Sequence, residues 1–265
     1  MTEYKIDDEY TFHKEPKSGF WHYSQNGVMM PKKADKVYKF YSLNLNNIDA
    51  LLNSYFYLSN PVSFNDPFDC NINLLDSPED LEHINRMKTV KRNDVRDLGV
   101  VSMTEVIDNH VMWAHYTENY HGFALEWKGT EVTVIPSLEQ TEQGTFVKVI
   151  YPKKLVKIKK EYPFSHRYML TAKLKHWEYE NEWRFICPVT SDENRILHYD
   201  PNKIKGLYIG HQMIDNNPSA YRLILSIRQM VFPDVPVYVV YPHPTELELY
   251  FEKVLPKQIE SNNSD

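Results

Sequence analysis

The segment His176–Cys187, HWEYENEWRFIC, places the strongest constraint on how this chain can fold. Read as a β-strand, its alternation puts Glu180, Glu182 and Arg184 on one face and Asn181, Trp183 and Phe185 on the other. Two carboxylates and a guanidinium on one surface need ion-pair partners, a polar ligand, or a reaction that uses them as base and charge stabiliser. An edge strand with a wet, salt-bridged face satisfies the same pattern. Two distant segments share this polar-aromatic character: Ser63–Asp69 (SFNDPFD) and Met112–Tyr116 (MWAHY). The expectation is that all three line one cleft.

A chain of 265 residues with 42% hydrophobic content can bury a sizeable core. The pattern predicts an N-terminal arm over residues 1–35, one α+β domain over 36–256 and a disordered tail over 257–265. No apolar run is long enough to span a bilayer, and the first residues lack the basic and apolar regions of a signal peptide, so a cytoplasmic protein without membrane partners is expected. Cys70 and Cys187 are too few for a disulfide framework and read as free thiols. The net charge of −6 argues against a nonspecific nucleic-acid coat. Lys153–Lys160 (KKLVKIKK) is a local basic candidate, though such a run is usually the solvated face of a strand.

Periodicity predicts strands at Lys36–Tyr41, Tyr55–Ser59, Leu98–Met103 and Gly122–Trp127, with a helix through Ile48, Leu51 and Leu52. Ser77 reads as a helix cap, and Asp108 as the cap of a short helix carrying Trp113, His115 and Tyr116. Further strands are expected at Thr145–Tyr151, in the lysine-rich segment, and at Trp177–Cys187, Arg195–Tyr199, Gly206–Gly210 and Val237–Tyr241. Helices are expected over Phe164–Lys175 and from Asn217-Pro218 through Tyr221, Ile224 and Ile227. The sum is an α+β fold with a split, mostly antiparallel sheet; with only eight glycines and no Gly-rich phosphate loop, a Rossmann or P-loop site is not expected.

Aromatic residues make up 14% of the chain, many beside polar groups, which suits sites that stack a planar ligand while hydrogen-bonding it and also suits core filling. Asn65-Asp66-Pro67 reads as a rigid turn, either structural or positioning a polar group for a ligand. His115 is a core histidine, a catalyst, or a metal ligand with Asp66, Asp69 and Glu182 in a nuclease, although the sequence offers no local ligand pair.

Tyr38–Ser42 (YKFYS), Leu58–Asp69 (LSNPVSFNDPFD), Met112–Tyr116 with Gly122-Phe123, and Lys173 followed by Trp177–Arg184 (WEYENEWR) together resemble the bacterial and phage family called domain of unknown function two-nine-seven-one. The family name implies no reaction. The opening strand–helix–strand and the Glu180-x-Glu182 pair are similar, more distantly, to ADP-ribosyltransferases of the DNA- and RNA-modifying and toxin types. That resemblance implies an ADP-ribosyltransferase-like fold and NAD as substrate, with no metal. It places Glu182 as charge stabiliser of the oxocarbenium-like ribose, and Glu180 at the acceptor. Lys39 stands where these enzymes use histidine or arginine to hold NAD, beside Tyr41 and Ser42. Tyr41, Trp113 or Tyr116 would sandwich nicotinamide, His115 and Arg184 would hold phosphate or orient the carboxylates, and Asn65 and Asp66 would complete the binding site. The implied protein is a toxin or antiphage effector that modifies a macromolecule, nucleic acid or protein, under an antitoxin or other regulatory partner. Two alternatives stand beside it: the metal-dependent nuclease, and a non-catalytic nucleotide- or nucleic-acid-binding module.

Overall fold

The structure is a computed structural model that describes residues 2–14, 21–31, 33–71, 74–75, 95, 97–129, 144–159, 162–189 and 195–254. The expected helix after Ser77 and the tail after residue 256 lie outside the described residues. The fold is α+β, with mostly antiparallel sheets and several helices. Among the described residues no helix is long and apolar enough to cross a membrane. The chain divides into two compact units with interleaved segments: residues 1–33, 58–101 and 142–195 form one, residues 34–57, 102–141 and 196–265 the other.

The first unit opens with four short strands, β1 (Thr2–Lys5), β2 (Tyr10–Lys14), β3 (Trp21–Gln25) and β4 (Val28–Met29), in an antiparallel meander. The segment predicted as an N-terminal arm is thus a strand meander. The β3–β4 hairpin turns on Asn26-Gly27, both at positive φ (51° and 78°), which is the two-residue turn that matches strand twist. The meander contributes Tyr10, Phe12 and Tyr23 to a core completed by Ile150, Phe164, Tyr168, Met169 and Leu170, the last three from the helix Ser165–Thr171. That helix is shorter than the expected Phe164–Lys175. The lysine-rich segment is not a strand: its one bridge among the described residues joins Ile158 to Leu75. Among the described residues alternation there has no neighbouring ladder to pair with.

The second unit contains the antiparallel pair β6 (Tyr55–Tyr57) and β11 (Ile196–His198), and β7 (Leu98–Thr104) has residues in both units. Its main strands are β5 (Lys36–Tyr41), β8 (Phe123–Lys128), β12 (Ile204–Gly210), β13 (Val237–Pro242) and β14 (Leu249–Lys253), side by side in the order β14-β13-β12-β8-β5. Only the β12–β13 pair is parallel among these, and two helices, His211–Asn216 and Pro218–Val231, make the crossover that a parallel pair requires. Pro218 occupies the first turn and Asn217 caps it by accepting the Ala220 N–H at 3.2 Å, as read from the sequence. Asn109, rather than Asp108, caps the helix His110–Tyr116, accepting the Val111 N–H at 2.9 Å. Gly122 precedes β8 where an added Cβ would fall 2.0 Å from the Tyr41 carbonyl oxygen, so the close passage of these two backbones requires glycine.

Candidate functional site

The Trp177–Cys187 strand of the sequence reading is two structures. Lys175–Glu180 is a 3₁₀ helix, Asn181 sits in the left-handed region (φ 45°, ψ 48°), and only then does β10 (Glu182–Pro188) begin, paired with β9 (Thr145–Lys148). Asparagine tolerates that conformation because its short polar side chain bonds locally; here Asn181 accepts hydrogen bonds from Lys148 through its backbone and side-chain oxygens. Glu182 and Arg184 share a face by strand alternation. Glu180 joins them by another route, from the end of the 3₁₀ helix.

All three are buried, at 3%, 4% and 1% exposure for Glu180, Glu182 and Arg184. Arg184 forms a two-pronged pair with Asp69, Nη1 to Oδ1 at 2.9 Å and Nη2 to Oδ2 at 2.6 Å. It also donates from Nε to Glu182 Oε1 at 2.8 Å, from Nη2 to Glu182 Oε2 at 3.0 Å, and from Nη1 to the Leu170 carbonyl at 2.7 Å. Lys173, not singled out for a role in the sequence, donates to Glu180 Oε2 and, at 3.3 Å, to Glu182 Oε2. Tyr151, also missed, receives the Glu182 N–H on its hydroxyl oxygen at 2.9 Å.

Electrostatics explains why charges tolerate this burial. Desolvation alone would lower both cations, but Glu182 and Asp69 hold the Arg184 guanidinium well above its ordinary range, and Glu182 and Glu180 raise Lys173. Burial, reinforced by the Glu182 charge, pushes the Tyr151 phenol far up. Both Glu182 oxygens are engaged by cations. The cluster thus clamps the Asp69 loop, the end of the Ser165–Thr171 helix and β10 into one piece, with Arg184 at its centre.

Next to this clamp in sequence lies an opening of about 480 Å³ lined by Asn65, Asp66, Pro67, Leu174, His176 and Trp177. Small-molecule pockets span roughly 300–1,000 Å³. Asp66 is 8% exposed. Its Oδ1 accepts the Phe68 N–H at 2.8 Å, which fixes the turn, while Oδ2 is buried with no hydrogen-bond partner among the described residues. An unsatisfied buried carboxylate oxygen is costly. The Trp177 ring lies against the Lys173 ammonium, 4.7 Å from ring centroid to Nζ. The structure thus gathers Asn65, Asp66, Glu180, Glu182 and Arg184 into one unit, though only Asn65 and Asp66 line the opening.

The remaining site candidates, Lys39, Tyr41, Ser42, Trp113, His115 and Tyr116, belong to the other unit. Tyr41 is buried and stacked on Phe123 (4.9 Å between centroids, 14° between planes). Lys39 lies over the Tyr41 ring at 5.3 Å and donates to the Ser102 carbonyl at 3.4 Å. Ser42 receives the Asn44 and Asn47 side chains at the start of the helix Leu45–Leu52. Trp113 is a core residue, fully buried, stacked on Tyr120 and donating from Nε1 to the Ile107 carbonyl at 2.7 Å. His115 is exposed, edge-on to the half-buried Tyr116 at 6.4 Å. Among the described residues no group of three or more His, Cys, Asp or Glu is placed to hold a metal ion. Sequence reasoning also passed over a cluster in this unit, the buried Glu126 paired with the exposed Lys36 at 3.0 Å and receiving the Tyr208 hydroxyl at 2.5 Å.

Comparison with known proteins gives no curated protein and no solved structure that matches the chain. Residues 112–185, which include Met112–Tyr116, Gly122-Phe123 and Trp177–Arg184, match the model of the family described as Protein of unknown function (DUF2971), the family those motifs resemble.

Proposed function

We propose that the Asp66–Trp177 pocket binds the planar ring of a nucleotide, with NAD as the first candidate. The observation that carries this is Asp66 Oδ2, a buried acceptor without a donor, in a pocket shared with an indole ring. A ring bearing an amide or amino N–H satisfies both at once, donating to Oδ2 and laying its face on Trp177. Nicotinamide and adenine have this form, and a site built this way needs no Gly-rich loop.

A second reading adds chemistry: ADP-ribosyl transfer to a macromolecule, on an ADP-ribosyltransferase-like fold, by a cytoplasmic toxin or antiphage effector held in check by a partner. What favours it is that the ammonium against Trp177 is also the one held by Glu180 and Glu182. In the transfer, the C1′–N bond to nicotinamide breaks, the acceptor nucleophile bonds to C1′, and its proton passes to a carboxylate. Glu182 must then exchange one of its contacts with Lys173 or Arg184 for the ribose 2′-hydroxyl. That is a rearrangement of the clamp, and it makes binding without transfer the simpler reading.

Calorimetric titration of NAD into the wild type, Asp66→Asn and Trp177→Ala tests the first reading. Saturable binding that weakens about tenfold or more in each variant supports it, since a hydrogen bond to a charged group contributes about 1.5–3 kcal/mol. No binding of NAD, AMP or nicotinamide by folded wild type rejects it. Label from NAD entering protein or nucleic acid in a lysate supports the transferase reading, whereas EDTA-sensitive nucleic-acid cleavage transfers the assignment to the nuclease.

A further inference from the structure

A second cavity in the first unit, of about 170 Å³, is lined by His22, Met30, Thr145, Lys148, Arg167 and Trp183, among others. Lys148 and Arg167 line it as cations. Two hydrogen-bond donors are left over in it. Arg167 Nε and Trp183 Nε1 are both buried with no partner among the described residues, and Trp183 is only 1% exposed. Each belongs to a rigid element, Arg167 to the helix Ser165–Thr171 and Trp183 to β10. Lys148 adds a second positive charge, its ammonium 5.3 Å from the Trp183 ring centroid and anchored on Asn181. Thr145 adds a hydroxyl from the start of β9.

Two orphaned N–H groups beside the positive charges of Arg167 and Lys148 are the complement of a compact multivalent anion. We propose that this cavity is a phosphate site, taking inorganic phosphate or the phosphoryl group of a phosphate monoester. The volume is below the roughly 300 Å³ where pockets for drug-sized ligands begin, which suits a single phosphoryl group. Arg167 offers the planar fork that fits phosphate, the Trp183 indole N–H supplies a fixed donor, and Lys148 supplies a point charge. Burial holds the Arg167 guanidinium below its ordinary range, the direction expected of a desolvated cation short of anionic partners. The inference stands on this cavity alone and does not depend on the reading of the Asp66–Trp177 pocket.

The test is to titrate inorganic phosphate into the full chain in chloride buffer at constant ionic strength, following indole N–H resonances and thermal unfolding. The resonance missing from the Trp183→Phe spectrum should be the one that moves with phosphate, saturably, while the unfolding temperature rises. Arg167→Gln should weaken the affinity about tenfold or more, and Trp183→Phe several-fold with its ring packing kept. Competition by AMP assigns the site to a phosphate monoester, and indifference to AMP assigns it to free phosphate. Should Arg167→Gln fail to fold, the wild-type titration and Trp183→Phe decide alone. A Trp183 resonance that ignores phosphate, or equal affinity in Trp183→Phe and wild type, overturns the proposal.

Discussion

Arg184 and Asp69, 115 residues apart in the chain, meet fork to fork in the interior of the first unit, with nitrogen-to-oxygen distances of 2.9 and 2.6 Å. Neither could be buried alone. Asp69→Asn should therefore lower stability by about 3–5 kcal/mol, the usual scale for stranding one partner of a buried pair. Much of that loss comes from Arg184, which keeps its charge and loses its main partner outside β10. Denaturant unfolding monitored by fluorescence measures it, and a loss below about 1 kcal/mol would show that the clamp is not a stabilising unit.

Glu182→Gln separates the structural role from the catalytic one. Both oxygens of Glu182 face cations, so the amide must turn its NH₂ group toward Arg184 or Lys173. The clamp reading expects a stability loss of roughly 3 kcal/mol or more, by the same stranding of buried charge. The transferase reading adds that NAD-dependent labelling, per folded molecule, falls on the order of a hundredfold, the scale for losing one electrostatic stabiliser. Unfolding curves and labelling on the same preparation tell them apart.

Alkaline pH should weaken the fold. Lys173 is raised in the folded state, so the stabilisation it brings is complete below its unfolded value of about 10.4 and is lost as pH climbs through the folded value. Burial acts in the same sense on phenols, pushing Tyr10 and Tyr168 up to about 12. Their unfolded counterparts ionise near 10, so above that pH the unfolded chain binds fewer protons and gains relative stability. Phenolate absorbance in native buffer should show tyrosines titrating near 12 that move to about 10 in denaturant, with the denaturant midpoint falling across that interval. All 19 tyrosines ionising near 10 with an unchanged midpoint would sink the argument.

Most strands and the Pro218–Val231 helix are legible because their signals are local: alternation, a cap, a proline at the first turn. The turn at Asn26-Gly27 carried an equally local signal for the N-terminal meander, and the charged, aromatic-rich composition around it masked the period. Asn181 shows the opposite case. Nothing in WEYENEWR says that one asparagine turns left-handed, so a seemingly continuous strand breaks into a 3₁₀ helix and β10. The acid and base types in the clamp were readable, and their partner Lys173 was not, because pairing across the core depends on which backbones meet. Trp113 is hard to read for the same reason: an aromatic beside polar residues suits a ligand site or a core, and its stacking on Tyr120 is not written in the local sequence.

The cluster around Glu126 offers a last test, in the second unit. Glu126 projects from β8 at 6% exposure, its Oε1 paired with Lys36 at 3.0 Å and its Oε2 receiving the Tyr208 hydroxyl at 2.5 Å. Tyr208 is held in place by its ring, stacked on Tyr238 at 5.0 Å, so it presents the hydroxyl at little entropic cost. Tyr208→Phe keeps the stacking and removes the donor, leaving a largely buried carboxylate oxygen without it. The expected loss is about 1–3 kcal/mol. Adding Glu126→Gln to Tyr208→Phe should recover part of it, because the stranded oxygen then belongs to a neutral amide. A double-mutant cycle in denaturant measures the coupling. Strict additivity of the two single losses would show that the hydroxyl and the carboxylate do not act as a pair.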